Sequence, residues 1–275
     1  MSSAGTAFGD DFRLTLITAD PALAIVADSV GIDRIGVDLE HLGKAERQAG
    51  LDTRQSGHSL DDLTAIAGVV RRAAVFARIN PVHSGTEAEI ETALAYGAGV
   101  LMLPSFRTAG EVETFVRAVR GRAHVVILVE LAPAVARIRE ILEVAGIDEV
   151  MIGLNDLHLQ FGVANPFEML ASPVVEMLSA EVRRKGIPLG LGGLGRIDDT
   201  GLPVNPDLIY AQYPRLGATR AWISRSFTRD PGTDFVQGIG ELRARLAYWF
   251  ACSAGDLDGA RRDLIRAAAQ WQPKV

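Results

Sequence analysis

Charged and polar residues directly follow four strongly apolar runs of this sequence. They are Asp38-Leu39-Glu40-His41, Arg78-Ile79-Asn80, Glu130, and Gly153-Leu154-Asn155-Asp156. Glu130 and Asp156 come from successive runs, and paired carboxylates are hard oxygen donors that suit Mg²⁺ or Mn²⁺. A cation held by two carboxylates alone keeps open positions for water and substrate. Such an ion can chelate the carboxylate and carbonyl oxygens of a 2-oxo acid and lower the energy of its enolate. Arg78 would place a second positive charge against the same oxygen. The alternative for the same placement is a plain salt bridge between Glu130 and Arg78 at the barrel rim.

An acid/base group is available in several places. His41, beside Glu40, carries the imidazole that such a role most often uses, although a loop histidine also fits an ordinary surface position. His58 and His83 follow the first and second of these polar runs and offer the same chemistry. His124 opens an apolar run rather than closing one and reads as structural. His158, two residues past Asp156, reads as a packing residue with a supporting role as the alternative. The glycine cluster GLGGLG, from Gly190 to Gly195, suits either a phosphate cradle or a tight turn.

These residues need elements to position them. Eight short apolar runs alternate with helix-period segments: FRLTLIT (12–18), DRIGVDLE (33–40), AVFARIN (74–80), GVLMLP (99–104), HVVILVE (124–130), DEVMIGL (148–154), IPLGLGG (187–193) and TRAWIS (219–224). Asp20-Pro21 predicts an N-cap with proline at the first helical position. Ser59-Leu60-Asp61-Asp62 predicts a second cap, and one helix is expected over 133–144. The stretch from His41 to His58 is polar and without period. Eight buried strands, each followed by a helix, predict an α/β protein with a parallel sheet closed into a (β/α)₈ TIM barrel. An open doubly wound sheet is the alternative, but no glycine fingerprint follows the first run. The reading is one domain over 1–275, with 231–275 a helical extension. Barrels of this kind carry their sites where strands end, and the four polar runs fall there.

Composition narrows the class. Hydrophobic residues make up 48% of the 275, enough for a large core. The net charge of −6 and the scattered basic residues argue against nucleic acid. A single cysteine, Cys252, excludes an internal disulfide framework and suits a reducing cytosol. The N-terminal residues lack the pattern of a secretory signal, and no apolar run is long enough to span a membrane. A soluble, cytoplasmic protein is expected. Phe235, Val236, Ile239, Leu242, Leu246 and Phe250 form an apolar stripe, and a second helix with Leu257, Leu264, Ile265 and Trp271 follows. One helix after the eighth strand would close a barrel. Surplus apolar surface therefore predicts a homo-oligomer, from dimer to hexamer, with these helices in the interface. Both helices folding back on their own barrel is the other reading.

The segments GIDRIGVDLEH, ARINP, YGAGVLMLP, ILVELAPAVARIREIL and GIDEVMIGLNDLHLQFG occur in that order within about residues 12–227. In content and order they resemble the HpcH/HpaI aldolase and citrate lyase β-subunit family of the phosphoenolpyruvate/pyruvate barrel group. The resemblance implies that Glu130 and Asp156 bind a divalent metal and that Arg78 contacts the oxo acid. It implies His41 as acid/base, with His58, Lys44 and Arg47 competing for that role in this chain. It implies backbone groups at Gly153, Leu154 and Asn155, together with Pro104, as substrate contacts. The activity implied is a metal-dependent aldolase that makes or cleaves a 4-hydroxy-2-oxo acid from pyruvate and an aldehyde. Cleavage of an acyl-CoA thioester is the alternative, since Lys44 and Arg47 suit nucleotide phosphates; a non-catalytic metal-binding barrel is another. Three departures stand out: Leu131 where the family usually has threonine, Leu154 where it commonly has proline, and a long charged loop after His41.

Overall fold

The computed structural model of the chain describes residues 12–42, 57–228 and 234–271. Eight strands pair in parallel, each with its sequence neighbours, and the eighth returns to the first, closing the barrel. They are β1 Arg13–Ile17, β2 Arg34–Asp38, β3 Ala74–Arg78, β4 Val100–Leu103, β5 His124–Val129, β6 Glu149–Ile152, β7 Leu189–Leu194 and β8 Arg220–Ile223. Each falls within the apolar run expected, apart from the last residue of β7, because both strand faces are buried.

The local stop and start signals act as their chemistry dictates. Asp20 caps the helix Pro21–Ser29, accepting from the Ala22 amide. Ser59 and Asp62 form a reciprocal capping box on the helix Leu60–Val69. The helix expected over 133–144 is instead two short pieces, Ala132–Ala136 and Ile138–Ile141. Arg137, at φ −109° and ψ 14°, departs from helical geometry and divides them.

Strand alternation sends every second side chain into the barrel. Phe76, Val100, Met102, Val126, Leu128 and Met151 fill the interior, with Ile17 and Trp222 packed against them. Below this layer, at the N-terminal strand ends, lies a buried ionic group. Glu149 accepts from Arg34 at 2.8 and 2.7 Å and from Arg220 at 3.2 Å. His124 stands 3.5 Å from the same carboxylate, which confirms its structural reading.

Two glycines of the cluster have local structural reasons. A Cβ at Gly190 would come within 1.9 Å of Met151 Sδ, so glycine there gives the methionine its room. Gly193, at φ +83°, lies where the pairing of β7 with β8 shifts register.

The helices Phe235–Phe250 and Ala254–Gln270 both lie on the chain's own barrel. The first buries Phe235, Ile239, Leu242, Leu246 and Trp249, and the second buries Leu264. Phe250 meets Phe12 edge-on, and Trp271 meets Phe167. Most of the apparent surplus of apolar surface is thereby used within the chain. Val236, Tyr248 and Ile265 remain exposed. No described helix is long and apolar enough to cross a membrane.

Candidate active site at the barrel mouth

The register of the strands assembles the site. Asp38 pairs with Arg78 across β2 and β3, and Val129 pairs with Ile152 across β5 and β6. The residues just beyond these pairs therefore meet at the C-terminal rim. Glu130 follows β5. Asp156 follows β6, in the first turn of the helix Leu154–Gln160.

Arg78 is held by a two-pronged bond to Asp38, with Nε to Oδ1 at 2.8 Å and Nη2 to Oδ2 at 2.7 Å. Glu40 Oε2 lies 3.5 Å from Nε. The simple Glu130–Arg78 bridge considered from sequence does not form, because Asp38 sits in register with Arg78 and occupies its fork. Nη1 makes no hydrogen bond among the described residues and is left for another acceptor. Burial alone would lower the guanidinium pKa; the bonds to Asp38 and the charges of Asp38, Glu40 and Glu130 outweigh it and raise it. The Arg78 guanidinium lies 5.3 Å from the Trp222 ring centre.

Glu130 is buried. Its Oε1 accepts from the Ser105 amide at 2.9 Å and from Ser105 Oγ at 2.7 Å. Burial raises its pKa most, the charge of Asp156 adds to this, and Arg78 opposes it. Neither Glu130 nor Asp156 forms an ion pair among the described residues. Two close carboxylates with no ion-pair partner of their own leave negative charge that Arg78 offsets only in part. Those residues contain no cluster of three or more His, Cys, Asp and Glu side chains able to cage a metal ion. Glu130 and Asp156 are the residues that could hold such an ion, and two carboxylates suit one that keeps several positions for water and substrate.

The candidate acid/base residues are placed differently from one another. His41 is exposed at the edge of the described chain, and its amide donates to Asn80 Oδ1 at 2.8 Å. Asn80 is itself held by Glu89, which also bonds His83 Nε2 at 3.0 Å. His83 thus braces the loop that carries His41. His58 folds back over the end of β2, where its Nδ1 accepts from the Asp38 amide at 3.1 Å. That bond places the proton of the neutral ring on Nε2. His158 lies on the helix that begins at Leu154, 3.3 Å from the Leu154 carbonyl, as a packing residue would. Lys44 and Arg47 fall outside the described residues.

Gly153 packs beneath Glu130: a Cβ there would sit 2.8 Å from Glu130 Cβ. Gly153 is the N-cap residue of the helix that follows, and no side chain caps the Leu154 and Asn155 amides behind it. Pro104 is buried and hands the chain to Ser105. Sequence reading placed Asp38 and Glu40 at a strand end without giving them a role, and it did not name Ser105. Asp38 and Glu40 share an inward-facing alternation with Arg34 and were legible in principle; Ser105 carried no sequence signal.

Fold and site together define a (β/α)₈ barrel with paired carboxylates and a buffered arginine at its C-terminal mouth. Its place among such barrels is more particular. The chain belongs to the HpcH/HpaI aldolase/citrate lyase family, whose pattern matches residues 13–178. It is similar to proteins named 4-hydroxy-4-methyl-2-oxoglutarate aldolase from Chaetomium globosum and Hapsidospora irregularis. Each is 24% identical over 213 residues, covering 65% of this chain and 73% of the relative. In fold it resembles an HpcH/HpaI aldolase from Desulfitobacterium hafniense, with TM-score 0.60 and 18% identity, over 82% of this chain and 96% of that one. It also resembles the citrate synthase SbnG, with TM-score 0.60 and 16% identity, over 79% of this chain and 88% of the other.

Proposed function

We propose that this chain is a divalent-metal-dependent aldolase that forms or cleaves a 4-hydroxy-2-oxo acid through the enolate of pyruvate. The observation that carries this reading is Glu130, buried beside Asp156 with no ion-pair partner among the described residues. Glu130 and Asp156 would hold Mg²⁺ or Mn²⁺, which when bound neutralises the charge that develops on the oxo-acid oxygens.

The chain's own groups supply the rest. Arg78 offers Nη1 to the carbonyl oxygen, while Asp38 keeps the guanidinium from swinging away. The uncapped amides of Leu154 and Asn155, beside Gly153, suit the substrate carboxylate. Pro104, next to Ser105, lies at the same rim. Trp222 supports the arginine from the barrel side. His58 and His41 are the groups available to move the proton of the 4-hydroxyl. Of these, His58 has the fixed ring, through its bond to the Asp38 amide. The curated relatives support this substrate class by name.

The test is exchange of pyruvate C3 protons with deuterium, followed by NMR. Exchange that requires added Mg²⁺ or Mn²⁺ supports the reading. Absence of exchange with either metal, in folded protein, refutes it.

A further inference from the structure

We infer that Ser105 is a positioning residue that makes Glu130 a one-oxygen ligand, reserving Oε2 for the cation. The inference rests on the metal reading above and adds a residue to it.

Ser105 stands where β4 has ended and the chain must turn. Its φ is +52°, in the left-handed region that residues other than glycine rarely occupy. Arg120 is the other non-glycine residue at positive φ among the described residues, and it is the C-cap of the helix Ala109–Val119. Ser105 ends no helix. Its conformation has a different result: amide and hydroxyl converge on one atom, Glu130 Oε1, at 2.9 and 2.7 Å. Strain of this kind persists only where the surroundings hold it, and Ser105 is buried.

The two oxygens of Glu130 are therefore unlike. Oε1 carries both donors. Oε2 accepts no hydrogen bond among the described residues, and its near neighbour is Gly153, where a Cβ would stand 3.1 Å away. Glycine at that position keeps Oε2 clear on the side of β6, the strand that leads to Asp156. The terminal torsion of a glutamate is soft and roughly two-fold. Without the clamp, the carboxylate can turn, and either oxygen can face the cation. The serine hydroxyl has one proton to give. It gives it to Glu130, and the 3.4 Å approach to Glu40 Oε1 is the weaker contact.

The test uses the full-length protein without substrate. Ser105→Gly keeps the backbone amide and suits the positive φ, but removes the hydroxyl. Ser105→Ala removes the same hydroxyl and keeps the Cβ. Mn²⁺ affinity is read by calorimetry and by electron paramagnetic resonance, and thermal stability is read alongside. Partners that orient a metal ligand typically matter about 10- to 100-fold in affinity. Both variants are expected to bind Mn²⁺ at least about 10-fold more weakly, with Ser105→Gly as stable as the parent or more so. Unchanged affinity in Ser105→Gly overturns the inference, as does a loss of stability with affinity intact. Glu130→Gln separates the two levels. If the parent binds Mn²⁺ and Glu130→Gln does not, normal binding by Ser105→Gly removes the role of Ser105 alone. If the parent binds no Mn²⁺, the metal reading fails and this inference falls with it.

Discussion

Replacing Glu149 by glutamine should be among the most damaging single changes outside the mouth of the barrel. The carboxylate is 1% exposed, and its partners Arg34 and Arg220 are each 9% exposed at the side chain. Hydrogen bonds from both guanidinium groups converge on it, at 2.8 and 2.7 Å from Arg34 and 3.2 Å from Arg220. Glutamine keeps the shape and one carbonyl acceptor, so part of one arginine's bonding survives. What it cannot supply is the negative charge, and two guanidinium groups are left buried together. Removing one member of a buried ion pair costs about 3–5 kcal/mol. Total stability of a domain is only roughly 5–15 kcal/mol, so the variant loses a large share of it. The assay is equilibrium urea unfolding near pH 7.5, followed by circular dichroism. Acid titration adds a second, independent readout. Burial raises the Glu149 pKa, but hydrogen bonds from His124 and Arg34 and the charges of both arginines outweigh it and hold the group below the usual carboxylate range. A carboxylate with a depressed native pKa contributes stability above its unfolded pKa and loses it as pH falls through the native one. The parent should therefore lose stability on acidification more steeply than Glu149→Gln. A loss under about 1 kcal/mol at pH 7.5, together with parallel acid profiles, would refute the reasoning, since it lies far below the expected cost.

The other expectations concern the mouth, a loop brace and assembly. Glu130→Gln combined with Asp156→Asn should abolish Mn²⁺ binding while leaving the fold intact by circular dichroism; unchanged affinity would remove the site assignment. Arg78→Lys keeps a positive charge but cannot reproduce the two-pronged bond to Asp38, so turnover should fall by about 10²-fold or more, measured by steady-state kinetics. Asp28 accepts hydrogen bonds from the amides of Arg71, Arg72 and Ala73; Asp28→Ala leaves those donors without a partner and should cost about 1–3 kcal/mol in urea unfolding. We propose a homo-oligomer, dimer to hexamer, in which exposed Val236, Tyr248 and Ile265 mark the contact on the C-terminal helices. Light scattering at micromolar concentration checks it: a monomer refutes the assembly, and Tyr248→Glu that leaves the oligomer unchanged refutes the contact.

Much of this molecule is legible in local sequence, because strands and caps are local physics. The runs ending at Arg78, Val129 and Ile152 are apolar on both faces, as parallel strands buried between helices must be. Asp20-Pro21 and Ser59 to Asp62 satisfy amides within a few residues of themselves. Glu130 and Asp156 stood out for the same reason, as charges placed directly after such runs. What the sequence left open depends on register and barrel closure, which join residues far apart in the chain. Arg78 faces Asp38, not Glu130, because pairing of β2 with β3 sets those two side by side. Arg34, Glu149 and Arg220 meet because three distant strands begin at one level around a closed ring. His58 lies 20 residues beyond Asp38 yet bonds its amide. Ser105 looks like an ordinary turn residue until a left-handed backbone aims its amide and hydroxyl at one oxygen 25 residues away. The C-terminal helices read as surplus apolar surface, since periodicity reports that a helix has an apolar face. Only packing decides what covers that face, and here most of it is covered by the chain's own barrel.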